Sequence, residues 1–139
     1  MNNNNHQKNS ANKKNKAVLD ASALRALFFE EEGSRVVYTL LGDACLSAVT
    51  LTELMNILAK EGVSTPLFLE QFKQLELPIL EFSEAQSLIA GKLLEEQGAL
   101  LSLTDAAALS LAIQLELPIY TARKPWATLN LPIAVHVIA

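Results

Sequence analysis

Short apolar runs alternate with longer stretches of helical periodicity from residue 17 to residue 138. The apolar runs predict buried strands at residues 17–20, 44–48, 77–81, 117–121 and 133–138. Between them, apolar residues recur at helical spacing and predict helices at residues 22–30, 34–41, 50–60, 65–75, 83–96 and 104–115. Strands that alternate with helices in this way predict an α/β/α sandwich around a mostly parallel central sheet.

Two helices carry further signals at their first residues. Thr50 and Glu53 match the capping box S/T-x-x-E, so the third helix is predicted to start at Thr50. Ser83 is the predicted cap of the fifth helix. The last helix, which opens at Thr104 or Asp105, is apolar almost all round, and this pattern predicts a central, buried helix.

Composition divides the chain into two regions. Residues 1–16 are rich in Asn and Lys without apolar periodicity, which predicts a disordered extension, and residues 17–139 form one predicted domain. Four of the 11 basic residues lie in the extension, which leaves seven against 15 acidic residues, a formal charge of −8 for the domain. Such a domain does not attract RNA over its whole surface. A bound metal, local basic residues or the extension (the N-terminal tail) would have to offset the repulsion between the acidic domain and RNA phosphates.

The location of the protein is predicted from what the sequence lacks. Cys45 is the single cysteine, so an internal disulfide is excluded and a reducing compartment is favoured. No apolar run approaches the roughly 20 residues of a membrane span, and the Asn-rich start has no signal-peptide core. We expect a cytoplasmic protein without membrane contact.

Three carboxylates occupy similar positions in the pattern. Asp20, Glu53 and Asp105 each follow a short apolar run and open a helical stretch. Acids at strand-to-helix turns of a parallel sheet meet at one edge, where clustered carboxylates bind Mg²⁺ or Mn²⁺. The alternative is that each acid caps its own helix, and the sequence leaves both interpretations open.

Hydroxyl residues accompany two of these acids. Ser22 and Thr104 are near enough in sequence to supply hydroxyl or outer-shell contacts to a metal site, or simply local turn hydrogen bonds. A divalent ion held at such a site activates water and stabilises the charge of a phosphodiester during cleavage.

Four motifs, in order and at suitable spacing, resemble the PIN-domain family, in particular its VapC-type toxin ribonucleases. They are Val-Leu-Asp-Ala-Ser22, Leu-Ser-Ala-Val-Thr-Leu-Thr-Glu53, Leu-Ser-Leu-Thr-Asp-Ala-Ala-Ala-Leu109 and Leu-Pro-Ile-Tyr-Thr-Ala-Arg-Lys-Pro-Trp-Ala127. The resemblance covers residues 17–138 and implies a Rossmann-like α/β/α sandwich. It also implies a metal-dependent endoribonuclease, the toxin of a type II toxin–antitoxin pair, with Asp20, Glu53 and Asp105 as catalytic ligands of Mg²⁺ or Mn²⁺. The implied partners are an RNA substrate, a cognate antitoxin and a second copy of the chain.

The chain departs from the family pattern at Arg123. Thr121 matches the family's small hydroxyl residue, but Arg123 stands where a fourth acid is usual, two positions later. Arg123 has two possible placements: it pairs with Asp105 or Asp20 in place of the metal, or it turns outward and contacts a phosphate. The first placement predicts a catalytically impaired PIN-like protein that acts through antitoxin or RNA binding, and the second predicts a nuclease with fewer ligands. A third hypothesis is an unrelated Rossmann-like protein with three coincidental helix caps.

Aromatic residues raise two further alternatives. The first two helices carry much apolar surface, either as ordinary core or as part of the antitoxin groove that the resemblance implies. An exposed Phe29 or Tyr38 would favour the groove. Trp126 either packs the loop after the fourth strand or stacks on an RNA base.

Overall fold

The structure, a computed structural model, describes residues 15–139. The predicted disordered extension, residues 1–16, therefore lies outside the described residues except for its last two. The strands are β1 Ala17–Leu19, β2 Ala44–Ser47, β3 Ile79–Leu80, β4 Ile119–Thr121 and β5 Val135–Val137. The helices are α1 Ala21–Phe28, α2 Ser34–Leu40, α3 Ala48–Lys60, α4 Thr65–Gln74, α5 Glu84–Gln97 and α6 Leu103–Leu115, with a short 3-10 helix at Lys124–Thr128.

All strands of the sheet run parallel, in the order β3-β2-β1-β4-β5. The central strand, β1, places Val18 opposite Cys45 of β2 and opposite Ile119 of β4. The chain winds outward from β1 through β2 to β3 on one side and continues with β4 and β5 on the other. The carboxyl ends of β1 and β4 therefore flank the point where the strand order reverses, which is where open α/β sheets bind ligands.

The sheet lies between two apolar layers, as predicted for an α/β/α sandwich. Val18 belongs to a cluster with α5, α6 and Trp126, and the next residue, Leu19, belongs to a cluster with α1, α2, α3 and α4. Successive strand residues point to opposite faces, so one short strand contributes to both cores. The predicted central burial of α6 is confirmed, because every residue from Asp105 to Ala112 is buried.

The predicted start and cap of the third helix were wrong. The third helix, α3, begins at Ala48 rather than Thr50, and its cap is Ser47, whose hydroxyl accepts a hydrogen bond from Val49 N at 3.1 Å. The capping box predicted for Thr50 and Glu53 therefore does not form, since both residues lie inside the helix. On α2, Val36 is 40% exposed, whereas Val37 is fully buried.

The remaining predicted elements are present, with the strands shorter than predicted and the helix bounds within two residues of the prediction. The third strand keeps two residues of the predicted 77–81, and the capping of α5 by Ser83 is confirmed by a 3.2 Å bond from Gln86 N. Within residues 15–139, no helix is both long enough and apolar enough to cross a membrane.

Candidate functional site

Asp20 lies directly after β1 and caps α1. One carboxylate oxygen accepts a hydrogen bond from Ala23 N at 2.8 Å, and the other accepts one from Thr121 Oγ1 at 2.7 Å. Ser22 Oγ lies 2.8 and 2.9 Å from the two oxygens. Only 3% of Asp20 is exposed, so the carboxylate depends on these three donors in place of water.

Burial dominates the titration of Asp20. Desolvation raises the pKa of the carboxyl from 3.8 to about 6, although the bonds from Ala23, Thr121 and Ser22 and the positive charge of Arg123 act in the opposite direction. The charge of this carboxylate is therefore incompletely compensated by its surroundings.

The hydroxyls of Ser22 and Thr121 join the end of β1 to the end of β4. They lie 3.1 Å apart, and each also accepts a backbone hydrogen bond from the loop after β4. Ala122 N donates to Ser22 Oγ at 2.9 Å, and Arg123 N donates to Thr121 Oγ1 at 3.0 Å. Both residues thus hold the loop that carries Arg123 against Asp20.

Asp105 is the third residue of α6 and takes part in a capping box with Ser102. Ser102 N donates to Asp105 Oδ2 at 2.9 Å, and Asp105 N donates to Ser102 Oγ at 3.1 Å. The predicted capping role of Asp105 is confirmed, and its side chain is 5% exposed.

Glu53 reaches the same region from α3. Thr104 Oγ1 donates to Glu53 Oε1 at 2.7 Å and lies 3.1 Å from Ser102 Oγ. Glu53 is thereby connected to the α6 capping box that holds Asp105, even though 51 residues separate it from Thr104.

Arg123 points inward. Its Nε lies 3.5 Å from Asp105 Oδ1, and its side chain is 47% exposed. Of the two placements that the sequence left open, this is the ion pair with Asp105. A continuous chain of contacts now joins the three acids: Asp20, Thr121, Arg123, Asp105, Ser102, Thr104 and Glu53.

The arrangement does not fit a divalent metal as the side chains stand. Mg²⁺ and Mn²⁺ take several oxygen ligands around one point. Here one oxygen of Asp105 faces Arg123 and the other accepts from Ser102 N. Over residues 15–139, no group of three or more His, Cys, Asp or Glu residues is placed to hold a metal ion. Three carboxylates and one guanidinium carry a formal charge of −2, so Arg123 supplies the one positive charge within this chain of contacts.

Ser102 was not among the residues predicted for the site. The signal was present, because Ser102 and Asp105 have the S-x-x-D spacing of a capping box. For Trp126 the structure supports packing, because the residue is 1% exposed and lies in the apolar cluster of α5 and α6.

A second surface feature lies on α1 and α2. A groove of about 560 Å³ is lined by Leu27, Glu30, Ser34, Arg35 and Tyr38. Tyr38 is 70% exposed, which is unusual for a large aromatic side chain without a partner. The exposure is the observation that favours the antitoxin groove over ordinary core.

Comparison with known proteins gives concordant results. The sequence profile of the PIN domain matches residues 17–122. Among solved structures, a toxin–antitoxin complex from Klebsiella pneumoniae matches with a TM-score of 0.65 and 21% identity, over 82% of this chain and 92% of that one. DNA-bound VapBC from Salmonella typhimurium matches with a TM-score of 0.66 and 20% identity, over 88% and 97%. FitAcB from Neisseria gonorrhoeae matches with 0.64 and 24%, over 86% and 96%. No curated protein matches the chain significantly.

Proposed function

The chain belongs to the PIN domain family, and from this premise we propose that it is an endoribonuclease and the toxin of a type II toxin–antitoxin pair. The observation that carries the proposal is the chain of contacts that joins Asp20, Glu53 and Asp105 at the carboxyl edge of the sheet. Three carboxylates from distant parts of the sequence are connected at the topological switch point, where this fold class places its ligands.

The proposed substrate follows from the charges at the rim of the site. Arg123 is half exposed and Lys124 beside it is exposed, so two cations border the acids. Guanidinium and ammonium groups bind phosphate oxygens, and the remainder of the domain is acidic. Within the acidic domain, these local cations favour contact with an RNA phosphate at this edge.

Metal dependence is the part of the family's chemistry that this chain alters. PIN domains generally depend on divalent ions, and Mg²⁺ or Mn²⁺ is the cofactor that the family implies. Asp105 is instead paired with Arg123, so no step is assigned to a metal here and we expect slow cleavage by the wild-type chain.

A second candidate function is a catalytically impaired PIN-like protein that acts by binding antitoxin or RNA. The ion pair between Arg123 and Asp105 favours this candidate. The guanidinium takes the place of the divalent ion whose charge hydrolysis would require. The two candidates differ in one property, which is whether the acids are needed for the biological effect.

The proposed partner of the groove on α1 and α2 is an antitoxin segment. Several solved structures with this fold are toxin–antitoxin complexes. The exposed Tyr38 at the groove gives such a segment an aromatic contact. We further propose that the chain forms a homodimer and acts in the cytoplasm, where a toxin meets its RNA.

The first test compares Asp20→Asn with the matched change Asp43→Asn. Asp20 belongs to the acidic site, whereas Asp43 pairs weakly with Lys16 on the surface before β2. We expect wild-type expression to arrest growth and the purified protein to cleave a structured RNA. Asp20→Asn should lower the cleavage rate at least tenfold and relieve the arrest, and Asp43→Asn should do neither.

The alternative outcomes separate the candidates. Arrest that persists unchanged in Asp20→Asn, without RNA cleavage by either protein, establishes the binding candidate. Absence of arrest, of cleavage and of RNA binding in the wild type rejects the ribonuclease and the RNA-binding form of the second candidate, and leaves antitoxin binding.

A further inference from the structure

We infer that Arg123 is an internal counter-cation, whose guanidinium takes the place of a divalent ion beside Asp105 and offsets one of the three negative charges of the acidic site without metal. The inference rests on the proposed function, because it concerns the same acids. The inference goes beyond the proposed function by naming the residue that decides whether a metal binds at the site.

The first argument is the choice of partner. In the described part of the chain, the ion pair of Arg123 is with Asp105, a carboxylate that is 5% exposed. A buried carboxylate gains far more from a cation than an exposed one does, because water no longer screens or solvates it. The observed pair therefore supplies positive charge to a buried acid of the site.

The second argument is that the backbone aims the side chain. Arg123 N donates to Thr121 Oγ1 at 3.0 Å, and Arg123 O accepts from Trp126 N at 3.1 Å. Trp126 is buried and Thr121 is bonded to Asp20. The backbone of Arg123 is therefore held on both sides by residues of the core and the site, so the point from which its side chain starts is a property of the fold.

The third argument is the position of the charge beside the acids of the site. Arg123 pairs directly with Asp105, and its backbone N donates to Thr121, whose hydroxyl donates to Asp20. A divalent ion bound to Asp105 would repel the guanidinium. A divalent ion and the guanidinium of Arg123 therefore compete for Asp105. Because Arg123 is part of the chain, its guanidinium is present beside Asp105 whatever the metal concentration.

Lys124 provides a matched control. It is the next residue, it carries the same charge, and it is exposed without an ion pair in the structure as described. Replacing either residue with Asp changes the net charge equally, but only Arg123→Asp both removes the counter-cation and adds a carboxylate beside Asp105.

The test is titration calorimetry with Mn²⁺ on the wild type, Arg123→Asp and Lys124→Asp. We expect Mn²⁺ to bind Arg123→Asp at least tenfold more tightly than the wild type, and Lys124→Asp to resemble the wild type. The same samples should show a rise in melting temperature with Mn²⁺ only for Arg123→Asp. If Arg123→Asp does not fold, Arg123→Asn is used, and it too should bind Mn²⁺ more tightly than the wild type.

The result that overturns the inference is wild-type Mn²⁺ affinity equal to that of the Arg123 variant. An equal gain in Lys124→Asp would overturn it as well, because a general charge effect would then explain the binding. RNA cleavage is scored separately: absence of cleavage by both the wild type and a variant that binds Mn²⁺ rejects the ribonuclease proposal and leaves the role of Arg123 intact.

Discussion

Asp20 combines two properties that usually exclude each other. It is a helix cap bonded to several donors, which favours the carboxylate, and it is almost fully buried, which disfavours it. Burial prevails, and the pKa rises to about 6. Capping of a helix does not require the carboxylate to be buried. We therefore attribute the desolvation cost of the Asp20 carboxylate to its place in the site at the end of β1.

The raised pKa of Asp20 predicts how stability depends on pH. The folded carboxyl binds its proton more tightly than the unfolded one, whose pKa is 3.8, so the free energy of unfolding falls as pH rises from about 4 to about 6. The loss from this group is roughly 3 kcal/mol at most, since one pKa unit corresponds to about 1.4 kcal/mol. Asp20→Asn removes the titrating group, so its stability relative to the wild type should improve by roughly 2–3 kcal/mol between pH 4 and pH 7.

Urea unfolding at both pH values, with Asp43→Asn as the control, measures this difference. The stability difference from the wild type should change between pH 4 and pH 7 by more for Asp20→Asn than for Asp43→Asn. A stability difference between Asp20→Asn and the wild type that does not change with pH would contradict the burial argument.

Two of the three acids, Asp20 and Asp105, lie at the first residues of helices. Substitution of a helix cap therefore tests how the elements position the site. Ser102 caps α6 and Ser83 caps α5, each with a hydroxyl that accepts from the third residue of its helix. The change of either serine to Ala should lower the free energy of unfolding by about 1 kcal/mol. Only Ser102→Ala should also reduce RNA cleavage, because Ser102 is bonded to Asp105 and lies next to Thr104.

Chemical denaturation and a cleavage assay on the same two variants separate stability from function. Ser83→Ala controls for the loss of a cap of the same kind. Equal cleavage by both variants at equal stability would show that the α6 capping box does not position the site.

Local patterns predicted the elements because their signals lie within a few residues. The apolar run before Asp20 and the apolar helix after Asp105 each placed an acid at the edge of the sheet, and both placements are found. The bond between Thr104 and Glu53 was not predictable, because it depends on how α3 packs beside α6. The capping box at Thr50 failed for a different reason, because α3 begins at Ala48 with Ser47 as its cap and both Thr50 and Glu53 lie inside the helix.

The same distinction explains Arg123. The sequence showed that an acid was missing and named Asp105 as one possible partner, but the choice depended on the direction of the loop after β4. That direction is set by the hydroxyl of Thr121 and the burial of Trp126, which are contacts of the folded chain.

For the whole molecule, the distribution of charge determines which part of the chain binds RNA and how strongly the affinity depends on salt. Residues 17–139 carry a formal charge of −8, whereas the first 16 residues carry four lysines and no acid. Affinity for single-stranded RNA rises with the number of phosphates that cations neutralise, and each contact contributes about 0.7 to the slope of log K against log salt. An acidic domain with two cations at its site should show a shallow slope unless the tail participates.

The tail therefore makes a separable prediction for RNA binding. Replacing Lys8, Lys13 and Lys14 with Gln in the full-length chain should reduce the magnitude of the salt slope by about 2, because up to three phosphate contacts are lost. The slope is measured by fluorescence anisotropy with a 2′-O-methyl oligonucleotide, which resists cleavage, between about 50 and 200 mM salt. The control replaces Lys60, Lys73 and Lys92 on α3, α4 and α5 with Gln and should leave the slope unchanged. Equal slopes for the wild type and the tail variant would place all RNA contact at the sheet edge, since the acidic domain would then rely on Arg123 and Lys124 alone.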